Sequence, residues 1–131
     1  MLCPVADIPG IIENAHLNRG LGFSFLRHIE RCRSLLYVID LSAQDPCQQL
    51  SVLQHELETY EAGLSQRPHL VVGNKIDLPE TEQNANKLST FVGDSASVLT
   101  VSAKYRTNVD ALSRIIRDMY DKYGAKPTEP T

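Results

Sequence analysis

The chain has 131 residues, 42% of them hydrophobic and 22% charged, which allows one domain with a real core and excludes a disordered or fibrous polymer. A net charge of −3 gives no global basic signal for nucleic acid, and His28, Arg31 and Arg33 around one helix end leave a local basic surface open, their plainer reading being a solvated helix end. The 3 cysteines (Cys3, Cys32, Cys47) have neither CxxC nor zinc spacing and read as reduced thiols, with Cys32 and Cys47 as packing residues. No apolar run reaches the length of a membrane span, and Met1–Val5 is too short and uncharged for a signal or transit peptide.

In chain order, the short apolar run Cys3–Ala6 is a candidate strand ahead of Asp7. Phe23 to Cys32 reads as a helix facing inward through Phe25, Leu26, Ile29 and Cys32. Leu35–Ile39 is a β-rich run. Ser42-Ala43-Gln44-Asp45-Pro46 then supplies a cap with proline in the first turn, and Leu50, Leu53, Leu57, Tyr60 and Leu64 repeat at helical spacing. A second buried strand, His69–Val72, leads to a weaker helix from Glu80 to Val92 carried by Ala85, Leu88 and Phe91. A third strand, Val98–Val101, precedes a helix capped by Thr107 or Asn108. Its apolar face is Leu112, Ile115, Ile116, Met119, Tyr120 and Tyr123, and it stops at Gly124 with Pro127 beyond. Residues 125–131 read as a flexible tail. Strands alternating with helices imply βαβ units: an α/β fold with a mostly parallel sheet flanked by helices.

Three loops follow strands and carry chemistry. Asn74-Lys75-Ile76-Asp77 follows the run ending at Gly73 and precedes a turn at Leu78-Pro79. A carboxylate such as Asp77 can accept both hydrogens of the N1–H and 2-amino edge of guanine, an edge adenine lacks. The Lys75 stem can lie over the purine face, and Asn74 can bond both base and neighbouring backbone. A polar strand-to-helix connector is the plainer reading, but strand, loop and turn fall in the order that open α/β sheets use for ligands. Ser102-Ala103-Lys104 follows the third strand, where a small residue lets a backbone N–H approach guanine O6. Asp7-Ile8-Pro9-Gly10 follows the candidate first strand. Its Asp can hold a magnesium-bound water and its Gly can bring an N–H to a γ-phosphate; read alone, it is a Pro-Gly turn.

The order DxxG, NKxD, SAK resembles three of the five signature loops of P-loop GTPases. A longer stretch is more specific: Asp7-Ile8-Pro9-Gly10-Ile11-Ile12-Glu13, then Arg19-Gly20-Leu21-Gly22, then Phe25-Leu26-Arg27-His28-Ile29-Glu30-Arg31. This resembles the second switch region of the Obg family of ribosome-assembly GTPases. The resemblance runs from about Val5 to Tyr123. It implies a partial Ras-like P-loop GTPase domain over residues 1–124, with GTP/GDP and Mg2+ as cofactors. Asn74, Lys75, Asp77, Ser102, Ala103 and Lys104 would serve the guanine. Asp7, Ile8, Pro9 and Gly10 would serve the phosphates, with Asp7 reaching Mg2+ through water. It further implies a partner in the large ribosomal subunit and a mitochondrial location, and leaves peripheral membrane association and oligomeric state open.

Glycines at positions 10, 20 and 22 suit a segment that rearranges around a γ-phosphate. Ile11 stands where many G proteins carry a water-orienting Gln, so slow intrinsic hydrolysis is implied. His16 is a candidate catalytic base, though a lone histidine there is more often a packing or surface residue.

The 131 residues contain no Gly-x-x-x-x-Gly-Lys-Ser/Thr, the loop that grips phosphates, nor the glycine-rich domain of Obg proteins. The expectation is therefore a fragment of a G domain lacking the P-loop strand, with weak or absent nucleotide binding and no useful hydrolysis alone. That strand would lie between the one before Asp7 and Leu35–Ile39, so an open edge beside Leu35–Ile39 is expected, with residues 3–6 slipping into it or staying disordered. Alternatives are a non-catalytic interaction module or truncated isoform binding a ribosomal or regulatory partner through the second switch face, residues 11–33, and a non-functional truncation product cleared by proteolysis.

Overall fold

The structure, a computed structural model, describes residues 32–124. The expected strand at Cys3–Ala6, the body of the Phe23–Cys32 helix and the 125–131 tail lie outside the described residues. What is described is three strands alternating with three helices: β1 (Leu35–Asp40), α1 (Pro46–Tyr60), β2 (His69–Asn74), α2 (Thr81–Val92), β3 (Ser97–Thr100) and α3 (Val109–Tyr123), with a 3-10 turn at Leu64–Gln66. The strands are all parallel, in the order β1-β2-β3. Leu35 pairs with His69 through to Asp40 with Asn74, and Leu70 with Ser97 through to Gly73 with Thr100. This is the α/β sheet expected from alternating β-rich and helical runs.

Helices cover both faces, which is why β2 is apolar without alternation. One face packs Leu35, Tyr37, Ile39 and Val71 against Leu50 and Leu57 of α1 and Ala85, Leu88 and Val92 of α2. The other packs Leu70, Val72 and Val101 against Leu112, Ile115 and Met119 of α3. Leu41, wholly buried, fills the space beside Gly73: a Cβ at Gly73 would sit 2.9 Å from Leu41 Cδ1. Only glycine lets β2 run that close.

β1 is one of the two edge strands of the described sheet. Leu35 N–H donates to Pro68 O and Leu41 N–H to Asn74 O, so alternate residues Leu36, Val38 and Asp40 turn their main-chain groups away from β2. Val38 is 58% exposed, on the face of β1 that no described helix covers. At Asp40 the outward groups are satisfied by one side chain: Gln49 Nε2 donates to Asp40 O at 2.9 Å and Gln49 Oε1 accepts from Asp40 N at 3.1 Å.

Several helix details differ from expectation. α1 starts as read, with the Asp45 carboxylate capping Gln48 N–H at 3.0 Å and Pro46 in the first turn. It ends at Tyr60, however, so Leu64 is not part of its stripe. Gly63, at φ 88°, breaks the chain into the 3-10 turn that buries Leu64, and the Glu58 carboxylate accepts from Gly63 N (3.0 Å) and Ser65 N (2.9 Å). On α2, Phe91 is 52% exposed and Val92 is buried instead. At about 100° per residue, Val92 falls within about 20° of Ala85 around the helix, and Phe91 about 120° away. Asn108 holds the cap position of α3 but makes no side-chain cap bond; its Nδ2 donates to Thr100 O at 2.8 Å. Tyr123, at the last turn, is 41% exposed rather than packed, and the helix stops at Gly124 (φ 63°) as read. Cys32 and Cys47 are half-buried. The Cys47 thiol donates to Lys87 O at 3.6 Å, tying α1 to α2, and burial raises the Cys32 thiol pKa.

Candidate functional site

Parallel strands with this register end together, and the loops leaving Asp40, Asn74 and Thr100 gather at the carboxyl edge of the sheet. Asn74 is the last residue of β2, and its side chain ties two of those loops. Its Oδ1 accepts Lys75 N–H at 2.8 Å and Ala103 N–H at 3.1 Å. The two loops that sequence reading singled out separately are thus joined through one oxygen. Because that oxygen is spent on backbone, Nδ2 is the Asn74 group left to face a ligand, as a donor suited to a purine N7 acceptor.

The loop after β2 is fixed at both flanks. Ile76 N–H donates to Val101 O at 3.1 Å, Leu78 N–H closes a turn onto Lys75 O at 3.0 Å, and Thr81 Oγ1 donates to Leu78 O at 2.8 Å. Lys75 sits at φ 74°, a left-handed conformation that marks a built turn. Asp77 lies inside this turn, exposed, and its carboxylate has no partner among the described residues. An exposed, unspent carboxylate on a fixed turn can accept two parallel N–H groups.

The loop after β3 is closed by an antiparallel bridge in which Ser102 and Thr107 exchange N–H to O bonds at 3.1 and 3.0 Å. Ser102 is wholly buried, and its Oγ accepts Tyr105 N–H at 3.2 Å. Its part is therefore to shape the loop. Ala103 and Lys104 are exposed, and Lys104 Nζ lies 5.3 Å from the Tyr105 ring centre.

One member was not foreseen. Lys75 Nζ reaches across the sheet edge to Asp40 Oδ2 at 2.8 Å. Asp40 is itself held by Ser42, whose N–H and Oγ donate to Oδ1 at 2.9 and 2.6 Å. These bonds, chiefly those from Lys75 and Ser42, hold the Asp40 carboxyl down at about 2. The one sequence signal was a carboxylate closing the apolar run of β1; that it stands level with the lysine loop comes from the register.

Asp7, Ile8, Pro9, Gly10 and His16 lie outside the described residues, so the structure brings together the residues expected to serve guanine and is silent on those expected to serve phosphate and Mg2+. Among the described residues no group of three His, Cys, Asp or Glu could hold a metal, and no helix is long and apolar enough to cross a membrane.

Comparison with known proteins gives the family. Residues 3–75, more than half of the chain, match the family described as 50S ribosome-binding GTPase. The chain belongs to that family. It is 53% identical over 119 residues to mitochondrial ribosome-associated GTPase 2 of Homo sapiens and 52% identical to that of Pongo abelii, covering 91% of this chain and 29% of each relative. It is also 40% identical over 122 residues to GTPase Obg of Staphylococcus aureus, covering 91% of this chain and 28% of that protein. The chain thus spans less than a third of the length of these relatives. The family match runs through Asp7–Gly10 and ends at Lys75, on the loop that Asn74 organises.

Proposed function

We propose that this chain carries the base-reading half of a GTP site and that the intact protein is an Obg-type GTPase acting on the large ribosomal subunit in mitochondria. The observation that carries the base-reading claim is the double acceptance by Asn74 Oδ1, which locks the Asp77 turn to the Ala103 loop. With those loops fixed, the Asp77 carboxylate takes the N1–H and 2-amino hydrogens, Asn74 Nδ2 meets N7, and the stems of Lys75 and Lys104 flank the ring. Ala103 N–H is given to Asn74, so the next amide along the loop, that of Lys104, is the donor assigned to O6. Adenine presents no donor pair to the Asp77 carboxylate, so the same contacts disfavour it.

In the intact protein Asp7 would hold Mg2+ through water and Gly10 would sense the γ-phosphate. With Ile11 unable to orient water, hydrolysis waits on another group or on the ribosome. The names of the relatives support the ribosomal and mitochondrial parts of this reading.

Titration of the chain with GTP, GDP and ATP, followed by NMR and calorimetry, tests the proposal. The expected result is weak binding of guanine nucleotides alone, with shifts at 74–78 and 102–105 that Asp77→Ala abolishes. Equal response to ATP refutes the guanine assignment, and micromolar GTP binding refutes the weak-binding claim.

A further inference from the structure

We propose that Asp40 is a positioning residue for base recognition, holding the Lys75 side chain across the carboxyl edge of the sheet as a preformed platform for the purine. The inference rests on reading residues 74–77 and 102–104 as the guanine site.

A lysine stem has many rotamers, and laying it flat under a ring costs affinity unless the protein has already done so. Here Lys75 is pinned at both ends. Its N–H is held by Asn74 Oδ1 at 2.8 Å in a left-handed turn, and its Nζ by Asp40 Oδ2 at 2.8 Å. The parallel register sets the span, because Asp40 pairs with Asn74 and so stands one strand away from the lysine loop. Asp40 is held at both its side chain and its main chain. Ser42 occupies Oδ1 from its N–H and its Oγ, leaving Oδ2 for the ammonium, and Gln49 grips both main-chain groups of Asp40.

Stability alone is a poor account of this arrangement. The side chains of Lys75 and Asp40 are 47% and 37% exposed, and ion pairs so solvated add little to folding. Three supporting hydrogen-bonding groups around so weak a pair make sense if what they protect is the position of the lysine. The carboxylate stays charged throughout the neutral range, so the charge facing Lys75 Nζ is present at working pH.

The test uses Asp40→Asn, Lys75→Met and the double variant in the full chain, with Asp77→Ala as control, and GDP affinity read by NMR titration at millimolar nucleotide. Asp40→Asn keeps an Oδ1 acceptor for Ser42 and removes the charge facing Lys75. It is expected to weaken GDP binding about threefold to tenfold, the cost of re-ordering one long side chain. In the Lys75→Met background it should cost nothing further. Unchanged GDP affinity in Asp40→Asn, with Asp77→Ala still abolishing binding, overturns this inference and leaves the guanine site standing. An equal loss in the Lys75→Met background also overturns it, because Asp40 would then act through the fold. No response to GDP, or indifference to Asp77→Ala, removes the guanine site itself.

Discussion

Replacing Asn74 with alanine removes one oxygen and releases two loops. That oxygen accepts Lys75 N–H at 2.8 Å and Ala103 N–H at 3.1 Å, while the main-chain bond from Leu41 N–H to Asn74 O survives the change. Each neutral hydrogen bond nets about 0.5–1.5 kcal/mol, and both donors are on exposed residues that can turn to water. Asn74→Ala should therefore cost about 1–2 kcal/mol in urea unfolding, and amide exchange at Ala103 should quicken about tenfold. Asn74→Asp separates the two duties of the side chain. It keeps an acceptor for both amides, so exchange at Ala103 stays slow, but it loses the Nδ2 donor and should weaken guanine nucleotide binding. If Ala103 exchanges as slowly in Asn74→Ala as in the parent, the staple between the loops is refuted.

Gly73→Ala drives a Cβ to 2.9 Å from Cδ1 of the fully buried Leu41, so it should destabilise by about 1–3 kcal/mol in urea unfolding, and less when Leu41 is shortened to alanine in the same chain. Leu88→Ala should cost about 2–5 kcal/mol, whereas Phe91→Ser, on the solvent side of α2, should stay within about 0.5 kcal/mol; equal losses would mean that the face of α2 is misassigned. Tyr37 is pushed up to about 12, by burial first and the nearby Glu58 second. A raised folded pKa means this contribution is intact below the ordinary tyrosine value near 10 and is lost as pH climbs toward 12. Tyr37→Phe should therefore flatten the loss of stability on alkaline titration over that window.

The parts legible from sequence were those set by local period and by strand-then-loop order. Leu50 and Leu57 fall on one helical face whatever the rest of the chain does. A short, β-branched run such as His69–Val72, bounded by Pro68 and Gly73, fits a strand covered on both sides. Phe91 was misplaced because Leu88, Phe91 and Val92 all sit at plausible helical spacings, and only the true phase of α2 chooses between the last two. Asn108 looked like a cap because of its residue type, yet Thr100 O competes for its amide across a short turn. Asp40 went unread for a different reason. Its contact with Lys75 joins residues 35 apart in the chain and depends on the pairing of β1 with β2, a fact of sheet register that no local pattern encodes.

The same register implies how the base half of the site should behave on its own. Every contact that shapes it (Asn74 to Ala103, Ile76 to Val101, Lys75 to Asp40, Ser102 to Thr107) runs between residues 40 and 107, and none depends on a phosphate being present. The glycine-rich lysine loop that grips phosphates does not occur among the 131 residues. The binding energy available to this chain should then come from the base, through Asp77, Asn74 and the two lysine stems. Guanosine, GDP and GTP should bind within a few-fold of one another in parallel NMR titrations. A preference for GTP over guanosine beyond about tenfold, equivalent to about 1.4 kcal/mol, would place phosphate contacts within this chain, with Asp7 and Gly10 the first residues to substitute.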